Sequence, residues 1–162
     1  MGKKKILVID DDALQLRLIE AMLKPNDYDV VVLTNGKNAA DFARSQKPDL
    51  ILLDIMMPEM DGYSVLNLLK KDNTTKGIPV IMVTALGFEL NKKLADQLGA
   101  SGYITKPVDL HNLLEIVKSV LLSPILFNSE NRFMQTSPPQ SQQEVWPESV
   151  FCRHQSGDHL LF

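Results

Sequence analysis

The sequence predicts an α/β fold in which a parallel sheet is covered by helices on both faces. Three observations predict it. Residues 5–122 read as five repeats of an apolar strand followed by an amphipathic helix. The strand segments are continuous apolar runs, as strands buried on both faces require. The joints between strand and helix are short, and strand–helix–strand units with short joints cross over right-handed into a parallel sheet.

The first strand is Lys5-Ile6-Leu7-Val8-Ile9, and it ends abruptly in Asp10-Asp11-Asp12. A helix follows with Leu14, Leu18 and Met22 spaced for one face, and Pro25 lies just beyond it. The second strand is Tyr28 to Leu33, with Asn35-Gly36 as its turn. Ala39, Ala40, Phe42 and Ala43 predict a helix of small residues packed close to the sheet, broken by Pro48. The third strand, Leu50-Ile51-Leu52-Leu53, stops at Asp54. A methionine-rich loop runs from Ile55 to Met60, and Asp61-Gly62 reads as a turn. The third helix covers Tyr63 to Lys71, and the fourth strand is Pro79 to Thr84. A helix from Glu89 to Leu98 is closed by Gly99. The fifth strand is Gly102 to Thr105, followed by Lys106-Pro107. The last helix runs from Asp109, read as its N-cap, to Leu122. Its expected buried stripe is Leu110, Leu113, Leu114, Val117, Val120 and Leu121.

From Ser123 the character changes. Residues 123–162 hold Pro124, Pro138, Pro139 and Pro147 among many Ser and Gln, with no long apolar period. The expected organisation is a folded domain over 1–122 and a poorly ordered tail or linker over 123–162. Cys152, His154 and His159 fall in that tail, where their spacing reads as incidental rather than as a metal site. Trp146, the single tryptophan, lies there too.

Composition narrows the function. Apolar residues are 44% and charged residues 23% of 162, a globular balance, and the formal net charge of −3 argues against direct nucleic-acid binding. One cysteine permits no internal disulfide. No apolar run approaches the about 20 residues of a spanning helix. A cytoplasmic protein without a membrane anchor is the expectation.

In open parallel sheets ligands bind beyond the carboxyl ends of the strands. Asp10 and Asp11 follow strand one, Asp54 ends strand three, Thr84 ends strand four and Lys106 follows strand five. Carboxylates gathered at one rim repel unless a cation lies among them. A hard ion such as Mg²⁺ answers that need through oxygen ligands, and Lys106 adds a further positive charge. Such a rim suits a phosphoryl group, whose oxygens the cations neutralise while a carboxylate attacks phosphorus. Thr84 is placed to donate to the same oxygens. Asp12 reads as the cap of the first helix rather than a metal ligand. Met56, Met57 and Met60 read as apolar loop packing, since thioethers suit softer ions.

At these residues the sequence resembles the response-regulator receiver family. The resemblance is carried by Ile6 to Asp12, Pro48 to Gly62, Pro79 to Ala85 and Gly99 to Pro107, in order across residues 4–122. It implies a doubly wound, flavodoxin-like five-stranded parallel sheet in the order 2-1-3-4-5. It implies that Asp54 is the phosphoacceptor, with Thr84 and Lys106 contacting the phosphoryl group. It implies Mg²⁺ held by Asp10, Asp11, Asp54 and the main-chain carbonyl of Met56. Thr84 and Tyr103 match the family's switch pair, and Lys106-Pro107 its cis peptide bond. The implied partners are a histidine kinase or histidine phosphotransfer protein and a downstream protein target, with a phosphorylation-dependent dimer as a further expectation. The implied function is a switch of a two-component or phosphorelay system, acting through protein–protein interaction. Apolar Met56 and Leu86 near the site give little help in placing a hydrolytic water, so slow loss of phosphate is expected.

Other readings fare worse. An aspartyl-phosphate hydrolase needs a second acid two residues beyond the nucleophile, where Met56 stands. No glycine-rich phosphate loop follows the first strand. The chain is therefore not expected to turn over a substrate beyond its own phosphorylation and slow dephosphorylation. A phosphate-independent docking module is the remaining alternative, against which the complete acid–hydroxyl–lysine set speaks.

Overall fold

The computed structural model describes residues 2–85 and 89–122. The tail from Ser123, with its cysteine, histidines and tryptophan, and Leu86 lie outside the described residues. The elements alternate as expected: β1 (Lys4–Ile9), α1 (Ala13–Leu23), β2 (Tyr28–Leu33), α2 (Ala39–Gln46), β3 (Leu50–Asp54), α3 (Gly62–Lys71), β4 (Val80–Thr84), α4 (Glu89–Gln97), β5 (Gly102–Thr105) and α5 (Leu110–Leu122). A 3-10 turn, Lys24–Asn26, contains Pro25 and closes α1.

The five strands pair in parallel in the order β2-β1-β3-β4-β5. All of β3 and β4 is buried, because these strands carry neighbours on both edges and helices on both faces. The alternation of side chains divides the core in two. Ile6, Val8, Leu52, Ile81, Val83 and Ile104 meet α1 and α5 on one face. Leu7, Ile9, Ile51, Leu53 and Met82 meet α2, α3 and α4 on the other. Each fully buried Leu or Ile contributes about 1.5–3 kcal/mol.

Two helical faces differ from the sequence reading. On α1 the buried residues are Leu16, Ile19 and Leu23, while Leu14 is 73% and Leu18 43% exposed. The helix carries two apolar stripes, and periodicity alone does not say which one turns to the sheet. On α5 the core face is Leu113, Val117 and Val120; Leu110, in the first turn, is 44% exposed. There Asp109 accepts from the Asn112 N–H at 2.9 Å, as an N-cap does.

The Asp61-Gly62 turn is also the start of α3. Asp61 caps it, accepting from the Tyr63 and Ser64 N–H groups at 2.9 and 3.0 Å. Gly99 closes α4 with φ of 88°, a left-handed conformation that glycine adopts without strain.

Candidate functional site

Three strand ends converge at the carboxyl rim of the sheet. β1 delivers Asp10, whose N–H continues the ladder to the Leu33 carbonyl at 3.1 Å. β3 delivers Asp54, paired with Val83, and β4 delivers Thr84 one step further along. Asp10, Asp54 and Thr84 are buried, at 2%, 4% and 2% exposure, whereas Asp11 is exposed. Lys106 enters just beyond β5: its N–H donates to the Thr84 carbonyl at 2.6 Å, and the Lys106–Pro107 bond is cis.

The Lys106 ammonium lies 2.8 Å from Asp10 Oδ2 and 2.9 Å from Asp54 Oδ1. Asp10 Oδ1 accepts from the Asp12 N–H at 2.8 Å, which fixes the turn after β1. Asp12 in turn accepts from the Leu14 N–H at 2.8 Å, so it is spent on capping α1, as its position suggested.

Charge in this pocket is incompletely matched. Burial raises the Asp54 pKa, Asp10 and Asp11 push it up further, and the Lys106 contact opposes them. For Lys106 burial disfavours the charge, yet the hydrogen bonds and attraction from Asp10 and Asp54 outweigh it and hold the pKa above the ordinary lysine value. Among the described residues, three carboxylates face one ammonium.

That imbalance defines what the site can accommodate. Carboxylate oxygens of Asp10, Asp11 and Asp54 lie within 4.8 Å of one another. The donor set is hard oxygen with no sulfur or imidazole, the chemistry that suits Mg²⁺. The residues present therefore fit that ion.

The structure brings together the sequence-predicted residues Asp10, Asp11, Asp54 and Lys106, with Thr84 at the end of the adjoining strand. Tyr103 stands further back. It pairs with Met82 on β4, and strand alternation puts it on the same sheet face as Thr84. Its ring is partly buried in the cluster beneath α3 and α4, and its hydroxyl lies 3.3 Å from that of Tyr63. Burial, then the Tyr63 hydroxyl, raise its pKa well above that of an ordinary tyrosine.

The methionine loop needs correction. Met57 is buried and Met60 packs on the core, but Met56 is 67% exposed. Its side chain lies in solvent and does not pack within the loop.

Two contributors escaped sequence reasoning. Gly62 donates its N–H to the Ile55 carbonyl at 2.8 Å, and a Cβ there would strike the main-chain carbonyl of Asp54. The glycine thus sets how closely α3 approaches the acid, beyond merely making a turn; the Asp-Gly pair was visible, the approach was not. Tyr63 gave no signal, since its partner is contributed by a distant strand.

Known proteins share this sequence pattern and this fold. Residues 6–118 match the family model described as the response regulator receiver domain. The polar-differentiation response regulator DivK of Brucella anthropi is 36% identical over 118 residues, 73% of this chain and 96% of that protein. Protein PilH of Pseudomonas aeruginosa is 38% identical over 117 residues, 72% of this chain and 97% of its own. Among solved structures, the chemotaxis protein CheY4 of Vibrio cholerae aligns with a TM-score of 0.71 at 26% identity, covering 74% of this chain and all, 100%, of that one. The receiver domain of a sensor histidine kinase from Pseudomonas aeruginosa, solved with a magnesium ion coordinated in its active site cleft, aligns with a TM-score of 0.69 at 29% identity over 76% of this chain and 100% of that one. On sequence and fold alike, this chain belongs to the response regulator receiver family of two-component signalling.

Proposed function

We propose that Asp54 accepts a phosphoryl group and that the chain works as a phosphorylation-dependent switch between a histidine kinase, or histidine phosphotransfer protein, and a downstream protein target. The observation that carries this reading is the shared ammonium: Lys106 bridges Asp10 and Asp54 at 2.8 and 2.9 Å in a pocket that still holds surplus negative charge.

The buried carboxylate of Asp54 is the nucleophile. One of its oxygens attacks phosphorus in line, the bond from phosphorus to the donor's leaving atom breaks, and the leaving group departs with that electron pair. Lys106 is within reach of the Asp54 oxygens and shifts toward the incoming phosphoryl oxygens, where its charge stabilises them. Thr84, at the neighbouring strand end, donates its hydroxyl to one of those oxygens. Asp10, Asp11, Asp54 and the main-chain carbonyl of Met56 would hold Mg²⁺, which supplies the positive charge that offsets the phosphoryl oxygens. Tyr103, behind Thr84 on the same face, follows the movement of that hydroxyl and alters the surface formed by β4, α4 and β5. The chain acts in the cytoplasm on proteins and turns over no further substrate.

Incubation with acetyl phosphate and Mg²⁺, followed by intact-mass measurement, tests the assignment. One phosphate is expected on the natural chain and none on Asp54→Asn. Equal labelling of both removes Asp54 from the central role. A target bound equally well by the phosphorylated and unphosphorylated chain supports the phosphate-independent docking reading instead.

A further inference from the structure

Tyr103 stands on an edge strand, so its ring has two directions open to it: outward past the sheet or inward across β4. Its hydroxyl ends 3.3 Å from the Tyr63 hydroxyl on α3, the helix that joins β3 to β4. Its ring packs in the cluster that contains Met82 of β4 and Leu66 of α3. The ring is therefore turned inward.

Tyr63 is fixed to the phosphoacceptor strand. Its neighbour Gly62 is bonded to the Ile55 carbonyl at 2.8 Å and abuts the carbonyl of Asp54. Asp61 caps the same turn through the Tyr63 N–H at 2.9 Å. The hydroxyl that meets Tyr103 thus stands on the piece of backbone that carries Asp54, on a route separate from the one through Thr84. The Tyr103 phenol is protonated at neutral pH, as any tyrosine is, and can take part in this bond.

We propose that Tyr63 is a positioning residue whose hydroxyl latches Tyr103 in its inward rotamer and thereby sets the equilibrium of the switch. This rests on the reading that Tyr103 responds to phosphorylation of Asp54. By linkage, whatever favours the inward ring favours phosphoryl binding, and phosphoryl binding tightens the latch in return.

The test uses the full chain titrated with beryllofluoride in the presence of Mg²⁺, as a stable stand-in for a phosphoryl group on the carboxylate. Tyr63→Phe removes one hydroxyl and keeps the ring. It is expected to weaken beryllofluoride uptake by up to about fivefold, the most that one typical net hydrogen bond contributes. Affinity for Mg²⁺ alone should stay unchanged. Tyr103→Phe should lose the same factor, and the double variant should be no weaker than either single one, because both delete one bond. Additive losses, a Tyr63→Phe chain that matches the natural one, or a parallel drop in Mg²⁺ affinity would each overturn the latch. The two readings fail separately. Should the natural chain take up no beryllofluoride, the assignment of Asp54 falls and the latch with it. Should it bind in an Asp54-dependent way while Tyr63→Phe binds equally well, only the latch falls.

Discussion

Gly62 packs its α-carbon against the main-chain carbonyl of Asp54, so closely that no side chain fits between them. The first turn of α3 therefore rests on the strand end that presents the Asp54 carboxylate. Replacing this glycine by alanine forces the helix and β3 apart. Gly62→Ala is expected to lose about 1–3 kcal/mol of stability, the usual cost of overfilling a packed site. It should also weaken beryllofluoride uptake by moving Asp54. Urea unfolding checks the first effect and titration the second; natural-like values in both would show that the backbone yields without cost.

The Asp54 carboxylate sits in a pocket that opposes its charge: burial raises its pKa, Asp10 and Asp11 add to the shift, and the Lys106 contact only partly offsets them. For an acid with a raised folded-state pKa, ionisation destabilises the fold. That penalty is present above the folded pKa and is relieved as pH falls through it. Asp54→Asn is therefore expected to raise the melting temperature by about a few degrees at neutral pH in EDTA. The gain should shrink toward acid pH. Added Mg²⁺ should raise the melting temperature of the natural chain more than that of the variant. A variant less stable than the natural chain in EDTA would contradict the charge surplus.

Lys106 has the opposite sign. Its raised pKa means that its charge stabilises the fold at every pH below the ordinary lysine value, a contribution lost only as pH rises through the folded pKa. Lys106→Met leaves Asp10 and Asp54 buried without their shared cation. About 3 kcal/mol should be lost at neutral pH in EDTA, as for other broken buried pairs. Part of this should return with Mg²⁺. An unchanged urea midpoint would show that water screens the two acids unaided.

Asp61 caps α3 through the N–H groups of Tyr63 and Ser64 and the Ser64 hydroxyl. Burial works against its charge, but these bonds outweigh it and hold its pKa below the ordinary aspartate value. The contribution is present above the unfolded aspartate pKa and lost as pH falls through the lower folded one. Because the side chain is exposed, Asp61→Ala should cost only about 1 kcal/mol at pH 7. The gap should close in acid below about pH 4. Urea unfolding across that range checks it, and a gap independent of pH would assign the loss to backbone propensity rather than to the charged cap.

The amino-acid sequence determined the elements and the rim. Short continuous apolar runs such as Ile6 to Ile9 and Leu50 to Leu53, alternating with helical periods, read as strands covered on both sides, and parallel strands put Asp10, Asp11, Asp54, Thr84 and Lys106 at one end. Tertiary structure decided what periodicity leaves open. It chose Leu16, Ile19 and Leu23 over Leu14 and Leu18 as the buried face of α1, because the sheet selects one of two apolar stripes. It turned Met56 to solvent, where composition suggested packing. It set Gly62 against the Asp54 carbonyl at the joint of consecutive elements, and the Tyr63 hydroxyl against that of Tyr103 across 40 residues of sequence. Local pattern fixes which residues reach an edge, since each strand writes its own burial; which side chains touch depends on how separately specified elements settle against one another.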